Sequence, residues 1–129
     1  MIHHVIRFTV KPDVTEKQLD ELLTSLREHA QEVPAVESVF VGREHGGDYT
    51  WSATVVLADL DAYWAYLTHP AHLCTDRLGW PLLETFAMFD VVDDPDPEMG
   101  PRIAALHQRR LDENPELTDV ISDAGRPNG

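Results

Sequence analysis

Across residues 2–92 the hydrophobic period of this chain switches between two and 3.6 in a set order, and that order limits the fold more than any other feature. Ile2, His4, Ile6, Phe8 and Val10 alternate with His3, Arg7, Thr9 and Lys11, which predicts a half-buried strand with His4 as the odd member of its apolar side. Thr15 with Gln18 three residues on has the form of a capping box. Leu19, Leu22, Leu23, Leu26 and Ala30 then keep helical spacing to a stop near Val33 and Pro34. Residues 36–42 and 49–57 read as two more strands, joined by a polar, glycine-rich loop in which His45 is expected to be exposed. A helical run at 60–67, a second run at 73–83 weakened by Gly79 and Pro81, and a closing strand at 85–92 complete the set. The order β-α-β-β-α-β, with a right-handed crossover in each half, gives an α+β, ferredoxin-like antiparallel sheet of four strands with helices on one face. Val5 and the alternate residues of strands three and four leave the other face bare and apolar, so a second copy is expected to cover it, as a homodimer.

With 129 residues and 43% hydrophobic content the chain supports one domain with a real core. No run approaches the ~20 apolar residues of a membrane span, and Met1-Ile2-His3-His4 lacks the basic and apolar regions of a signal peptide, which predicts a soluble cytoplasmic protein. The single cysteine, Cys74, excludes an intrachain disulfide and is expected as a small buried apolar residue. A net charge of -13, from 23 acids against 10 bases, argues against nucleic acid and against an anionic membrane surface. The composition shifts after Val92 to an acidic, proline-rich run, so residues 1–93 form the domain and 94–129 an extension. A short helix is expected at 101–111 with Pro101 at its first position, stopped by Asn114 and Pro115, and residues 125–129 are expected to be disordered. Nothing in the extension reads as catalytic.

Chemistry concentrates at Tyr66-Leu67-Thr68-His69-Pro70-Ala71-His72, where one helical run stops and another begins. Pro70 fixes its own φ and pushes His69 out of the helical region, so two imidazoles and a phenol meet at a reversal set by covalent geometry. Imidazole beside phenol is a ready proton-transfer pair; the plainer alternative is a helix break with histidine caps. A metal site from His4, His69 and His72 is a further option. Such sets usually recruit a carboxylate, and Asp76 and Glu84 stand at no fixed ligand spacing, so neither metal nor cofactor is expected.

His4 with the Ile6/Phe8 face, the Tyr66…His69-Pro70-Ala71-His72 segment and the closing Phe89-Asp90 strand, in this order of elements, resemble the stress-responsive dimeric α+β barrel (Dabb) proteins over roughly residues 2–92. Among them the chain is similar to polyketide cyclases of the olivetolic acid cyclase type. That resemblance implies a cofactor-free pocket between sheet and helices in which a Tyr–His pair drives an aldol-type ring closure. The catalytic histidine then falls on His72, its tyrosine on Tyr66 and the pocket histidine of strand one on His4, while Ile6, Phe8, Leu22, Leu23 and Leu83 match pocket-wall positions. Trp51 stands where those cyclases have a histidine, Leu26 where they have a tyrosine, and Thr75 and Leu83 where they have aromatics, so the pair is kept and the wall re-cut. The implied activity is a cofactor-independent cyclase, lyase or isomerase acting on a small apolar, polyketide-like carbonyl compound. His72 would take a carbon-bound proton, Tyr66 would donate to the oxygen that gains charge, and His4 would orient His72 or bind the substrate. The alternative is a non-catalytic stress-responsive dimer or small-molecule carrier. A heme-binding or quinone-forming monooxygenase on the same architecture would draw attention to Trp51, Trp64 and Trp80.

Overall fold

Nine residues of alternating polarity open the chain as β1 (Ile2–Val10), and the computed structural model follows it through residue 123, so the end expected to be disordered lies outside the described residues. After β1 come α1 (Glu16–Glu32), β2 (Val36–Arg43), β3 (Trp51–Leu57), α2 (Leu60–Thr68), α3 (Pro70–Gly79), a 3-10 turn (Trp80–Leu82), β4 (Leu83–Val92), α4 (Met99–Glu113) and α5 (Pro115–Asp123). The sheet runs β2-β3-β1-β4 and every pairing is antiparallel, which is the expected ferredoxin-like topology.

Register places the future site. His4 lies between Val55 and Asp90, Ile6 between Ala53 and Met88, and Phe8 between Trp51 and Phe86, all on the helix-covered face. The opposite face carries a row that crosses all four strands, Phe40, Thr54, Val5 and Phe89, with Val91 in the next row. Phe40 is 75% exposed and Val91 58%, far more than an ordinary core strand leaves open.

Local chemistry sets the helix ends. Thr15 Oγ1 accepts from the Gln18 N–H at 3.1 Å and Gln18 Oε1 accepts from the Thr15 N–H at 2.9 Å, closing the capping box that starts α1. His69 ends α2 and caps α3 in one extended residue (φ -68°, ψ 137°), its Nδ1 accepting from the Ala71 N–H at 3.1 Å, with Pro70 at the first helical position. Gly79 lets α3 lie close to α1, since a Cβ there would come within 2.8 Å of Leu22 Cδ1.

Two differences from the sequence reading fall between α3 and β4. Pro81 sits in the second position of the 3-10 turn, which needs no N–H from it, so β4 starts at Leu83 rather than at 85. Cys74, expected in the interior, is exposed on α3.

The extension forms two helices where one was expected. α4 begins at Met99, so Pro101 is its third residue rather than its first, still within the turn whose N–H groups have no helical acceptor. Ile103 enters the core cluster of Ile2, Val55, Leu57, Tyr63 and Leu67. On α5, Leu117 is fully buried and Val120 and Ile121 pack against the second cluster, formed by Phe8, Leu22, Leu23, Trp80 and Leu83. No helix among the described residues is long and apolar enough to cross a membrane.

Because Ile103 is 6% exposed within the main core, Ile103→Ala should cost about 2–4 kcal/mol in urea unfolding. A midpoint equal to that of the wild type would show that α4 does not dock on its own chain.

Candidate active site

Tyr66 in the last turn of α2 and His72 in the first turn of α3 face each other across the His69–Pro70 junction, their ring centroids 4.2 Å apart. Burial drives the Tyr66 phenol well above its ordinary range, although the Arg110 guanidinium pulls the other way, so the hydroxyl keeps its proton and acts as a donor. Burial likewise holds His72 well below the usual imidazole value, with Arg110, His4, His107 and His69 adding to it, so the ring is neutral at pH 7. His72 Nε2 lies 3.4 Å from Asp76 Oδ2, one helical turn on.

Asp76 is a hub. Its Oδ1 accepts from the Trp80 indole N–H at 3.1 Å, and its Oδ2 forms an ion pair with Arg110, which reaches in from α4. Both charged side chains are almost fully buried, Asp76 at 8% and Arg110 at 5% exposure. Burial lowers the proton affinity of Arg110 while the neighbouring Tyr66 and Tyr63 raise it, and the guanidinium stays charged at any working pH.

A second network stands on the sheet. His4 Nδ1 is 2.9 Å from Asp90 Oδ1 on the paired strand, and the Tyr63 hydroxyl lies 2.7 Å from His4 Nδ1, 2.8 Å from Asp90 Oδ1 and 2.9 Å from His107 Nε2. One set of protons satisfies all four groups: His4 Nδ1–H and the Tyr63 O–H donate to Asp90, and His107 Nε2–H donates to the Tyr63 oxygen. That tautomer leaves His4 Nε2 as a lone pair. Burial works against the Asp90 carboxylate, but the hydrogen bonds from His4 and Tyr63 outweigh it and hold Asp90 below the ordinary carboxylate range. His107 is lowered, chiefly by burial.

Ligand atoms of His4, Asp90 and His107 lie within 4.8 Å of one another and could hold a metal ion. The Tyr63 oxygen, however, is at hydrogen-bond length from all three, so the arrangement is complete as a proton network.

Between the two networks lies a largely apolar cavity of about 150 Å³. Nine of the residues expected at the site line it: His72, Tyr66, His4, Ile6, Phe8, Leu22, Leu26, Thr75 and Leu83. Leu23 and Trp51 do not; Leu23 is buried in the second core cluster, and Trp51 packs against that cluster beside the Arg43 guanidinium. His69 serves as a cap, and the ligand-type cluster that does form takes His4 with Asp90 and His107.

The sequence reading does not mark Tyr63, Asp90, His107 and Arg110 as members, and it offers Asp76 only as a metal carboxylate without a fixed ligand spacing. Asp76 was legible, because i, i+4 from His72 is one helix face. Asp90 reads from the sequence only as a member of the closing strand. His107 and Arg110 carried no signal, since nothing in their local pattern says where α4 docks.

A family model described as the stress-responsive A/B barrel domain matches residues 2–93. No curated protein matches the chain. Among solved structures, the chain is similar to a dimeric ferredoxin-like protein of unknown function from Thermobifida fusca, at 22% identity and TM-score 0.64, over 70% of this chain and 89% of that one. It is similar to the hydroxynitrile lyase of Passiflora edulis at 13% identity and TM-score 0.66, over 73% and 94% of the two chains. SnoaB, a cofactor-independent oxygenase from Streptomyces nogalater, matches at 21% identity and TM-score 0.59, over 75% and 97%. These likenesses show the fold.

The two lowered histidines give a pH dependence of definite sign. Below the ordinary value near 6.5 the unfolded chain takes up protons that folded His72 and His107 refuse, so their contribution makes stability fall as pH drops from about 6.5 to 5. Asp90, which is lowered, favours the fold throughout that window and loses its effect only as pH falls below about 4. Thermal unfolding should therefore show a smaller loss of Tm between pH 7 and 5 in His72→Gln than in the wild type. Equal slopes in the two proteins would refute the assignment.

Proposed function

The chain belongs to the stress-responsive A/B barrel family, and we propose that within it the chain is a cofactor-independent enzyme of the cyclase, lyase or isomerase kind, acting on a small, mostly apolar carbonyl compound. One observation carries this reading: a neutral imidazole and a proton-bearing phenol, 4.2 Å apart and both screened from water, open onto the same apolar cavity. His72 is the base that takes the carbon-bound proton. Tyr66 donates to the oxygen on which charge then develops, in a site dry enough to strengthen that bond. Asp76 stands beside His72 to stabilise the imidazolium that results. The hydroxynitrile lyase and the cofactor-independent oxygenase lend support, as proteins of the same fold whose named activities are catalytic.

A carrier role is the second reading. It is favoured by the modest cavity, about 150 Å³ against the roughly 300 Å³ at which small-molecule sites usually begin.

The working unit of this reading is a homodimer. The apolar row Phe40, Thr54, Val5 and Phe89 needs a cover, and the similar Thermobifida fusca protein is described as dimeric.

Proton abstraction can be read without knowing the natural substrate, as enzyme-dependent deuterium uptake from D2O into a panel of aryl ketones and 1,3-dicarbonyl compounds, followed by NMR. His72→Ala should lower the rate about 10²–10⁴-fold and Tyr66→Phe should lower it less, with unchanged far-UV circular dichroism. If no panel member exchanges faster than in buffer, or if His72→Ala matches the wild type, the catalytic reading fails.

For the assembly, Phe40→Asp combined with Val91→Asp alters residues that are exposed in the single chain and should leave its fold intact. Sedimentation is expected to show a monomer for this variant and a dimer for the wild type; a monomeric wild type would refute the pairing.

A further inference from the structure

Arg110 lies beyond the matched family region, on α4, yet its side chain lines the cavity with Tyr66 and His72. Only 5% of it is exposed, and its Nε has no hydrogen-bond partner among the described residues. Elsewhere the lining is mostly hydrocarbon, from residues such as Ile6, Phe8, Leu22 and Leu83. A guanidinium is an expensive group to bury, and an unmet donor on it adds to the cost. Its one counter-charge, Asp76, is already shared with the Trp80 indole and lies 3.4 Å from His72. The charge is thus held on the wall of a largely apolar cavity with a donor unspent.

We propose that this cavity is an anion site in which Arg110 binds a planar, delocalised oxyanion, the carboxylate or ionised enol of a carbonyl compound with an apolar body. The inference deepens the catalytic reading by naming the substrate class. Guanidinium suits such a group because its N–H bonds lie in one plane and pair with an O–C–O unit.

The charges also balance through the step proposed above. When a C–H bond breaks and His72 gains the proton, the electron pair passes to the carbonyl oxygen as an enolate. The new imidazolium is then neutralised by Asp76, which releases Arg110 toward the enolate oxygen. No oxidant, reductant or added group is required. The barrel domain supplies the base and the phenol, and the extension supplies the cation.

Benzoate and benzamide test this, being nearly the same shape and differing in charge. Each is titrated into the full-length protein while the Trp80 indole N–H is followed in ¹H–¹⁵N spectra, since that group bonds Asp76 and the Trp80 side chain lines the cavity. The wild type should bind benzoate at least about tenfold more tightly than benzamide, as expected for one charge-assisted bond in a dry site. Arg110→Gln should abolish that preference. Because the single change leaves Asp76 buried without its partner, the double variant Asp76→Asn/Arg110→Gln removes both charges together and should show the same loss. The proposal is overturned if the wild type binds the two equally or binds neither. It is also overturned if a folded variant lacking Arg110 still prefers benzoate. Binding is read here without turnover, so a benzoate preference in a protein that exchanges no substrate proton would sink the catalytic reading and leave this one standing.

Discussion

The ion pair between Asp76 and Arg110 joins the two parts of this molecule. Desolvating a carboxylate and a guanidinium costs several kcal/mol each, and the cost is recovered only when geometry and extra hydrogen bonds are good. Here the Trp80 indole N–H takes the other carboxylate oxygen, so the acid is met on both sides. Removing either partner would strand the other in the interior, so the pair pins α4 to α3, while α4 lies along α2 through His107 on Tyr63 and Arg109 over Trp64. Ile103 anchors α4 in the core cluster with Ile2, Tyr63 and Leu67, and Leu117 on α5 is fully buried. The extension is therefore a wall of the core, with a polar contact that fixes where the wall stands.

That contact also sets the electrostatics of the site. Without Arg110, a buried Asp76 one turn from His72 would favour the imidazolium. With it, the field at His72 turns the other way and joins burial in keeping the ring neutral. His4 is held differently, by Asp90 across the strand pair and by Tyr63 from above. Of the three imidazoles that line the cavity, His72 and His4 are each backed by a carboxylate, with distinct third partners. In the proposed step the Arg110 side releases a cation to a ligand. The Tyr63 side keeps its protons among its own groups and leaves His4 Nε2 as a lone pair. This asymmetry is why the chemistry is placed on His72 and the orienting role on His4.

Much of this was legible in the sequence because it depends on local rules. Period-two alternation placed His4 inward, the Thr15/Gln18 box placed the start of α1, and Pro70 fixed the angle that brings Tyr66 to His72. Asp76 stands one helical turn from His72, a spacing that supports a shared helix face rather than a metal set. His107 and Arg110 are another matter. Their roles come from a docking that no local period encodes, since amphipathicity gives α4 an apolar face but not the surface that face meets. Leu23 shows the converse limit: on a helix, the neighbour of a pocket residue can point 100° away into packing, as it does beside Leu22.

The re-cut wall and the extension make sense together. Leu26 and Thr75 give the barrel's part of the wall no aromatic bulk at these two positions. Leu111 and Ile121 from the extension line the same cavity, and Val120 packs against the neighbouring core cluster, so part of the wall comes from outside the barrel domain. These aliphatic side chains fill volume and bring no hydroxyl or ring donor. Beside the Tyr66–His72 pair, the polar groups on the wall are His4, Asp76, His107, Arg110 and Thr75, whose hydroxyl lies 2.8 Å from that of Ser25. A ligand bound as proposed would be oriented by one cation and one acid–base pair, with mostly apolar wall around the rest. Such a cavity discriminates sharply on where a ligand carries its charge and only weakly among apolar bodies of similar size.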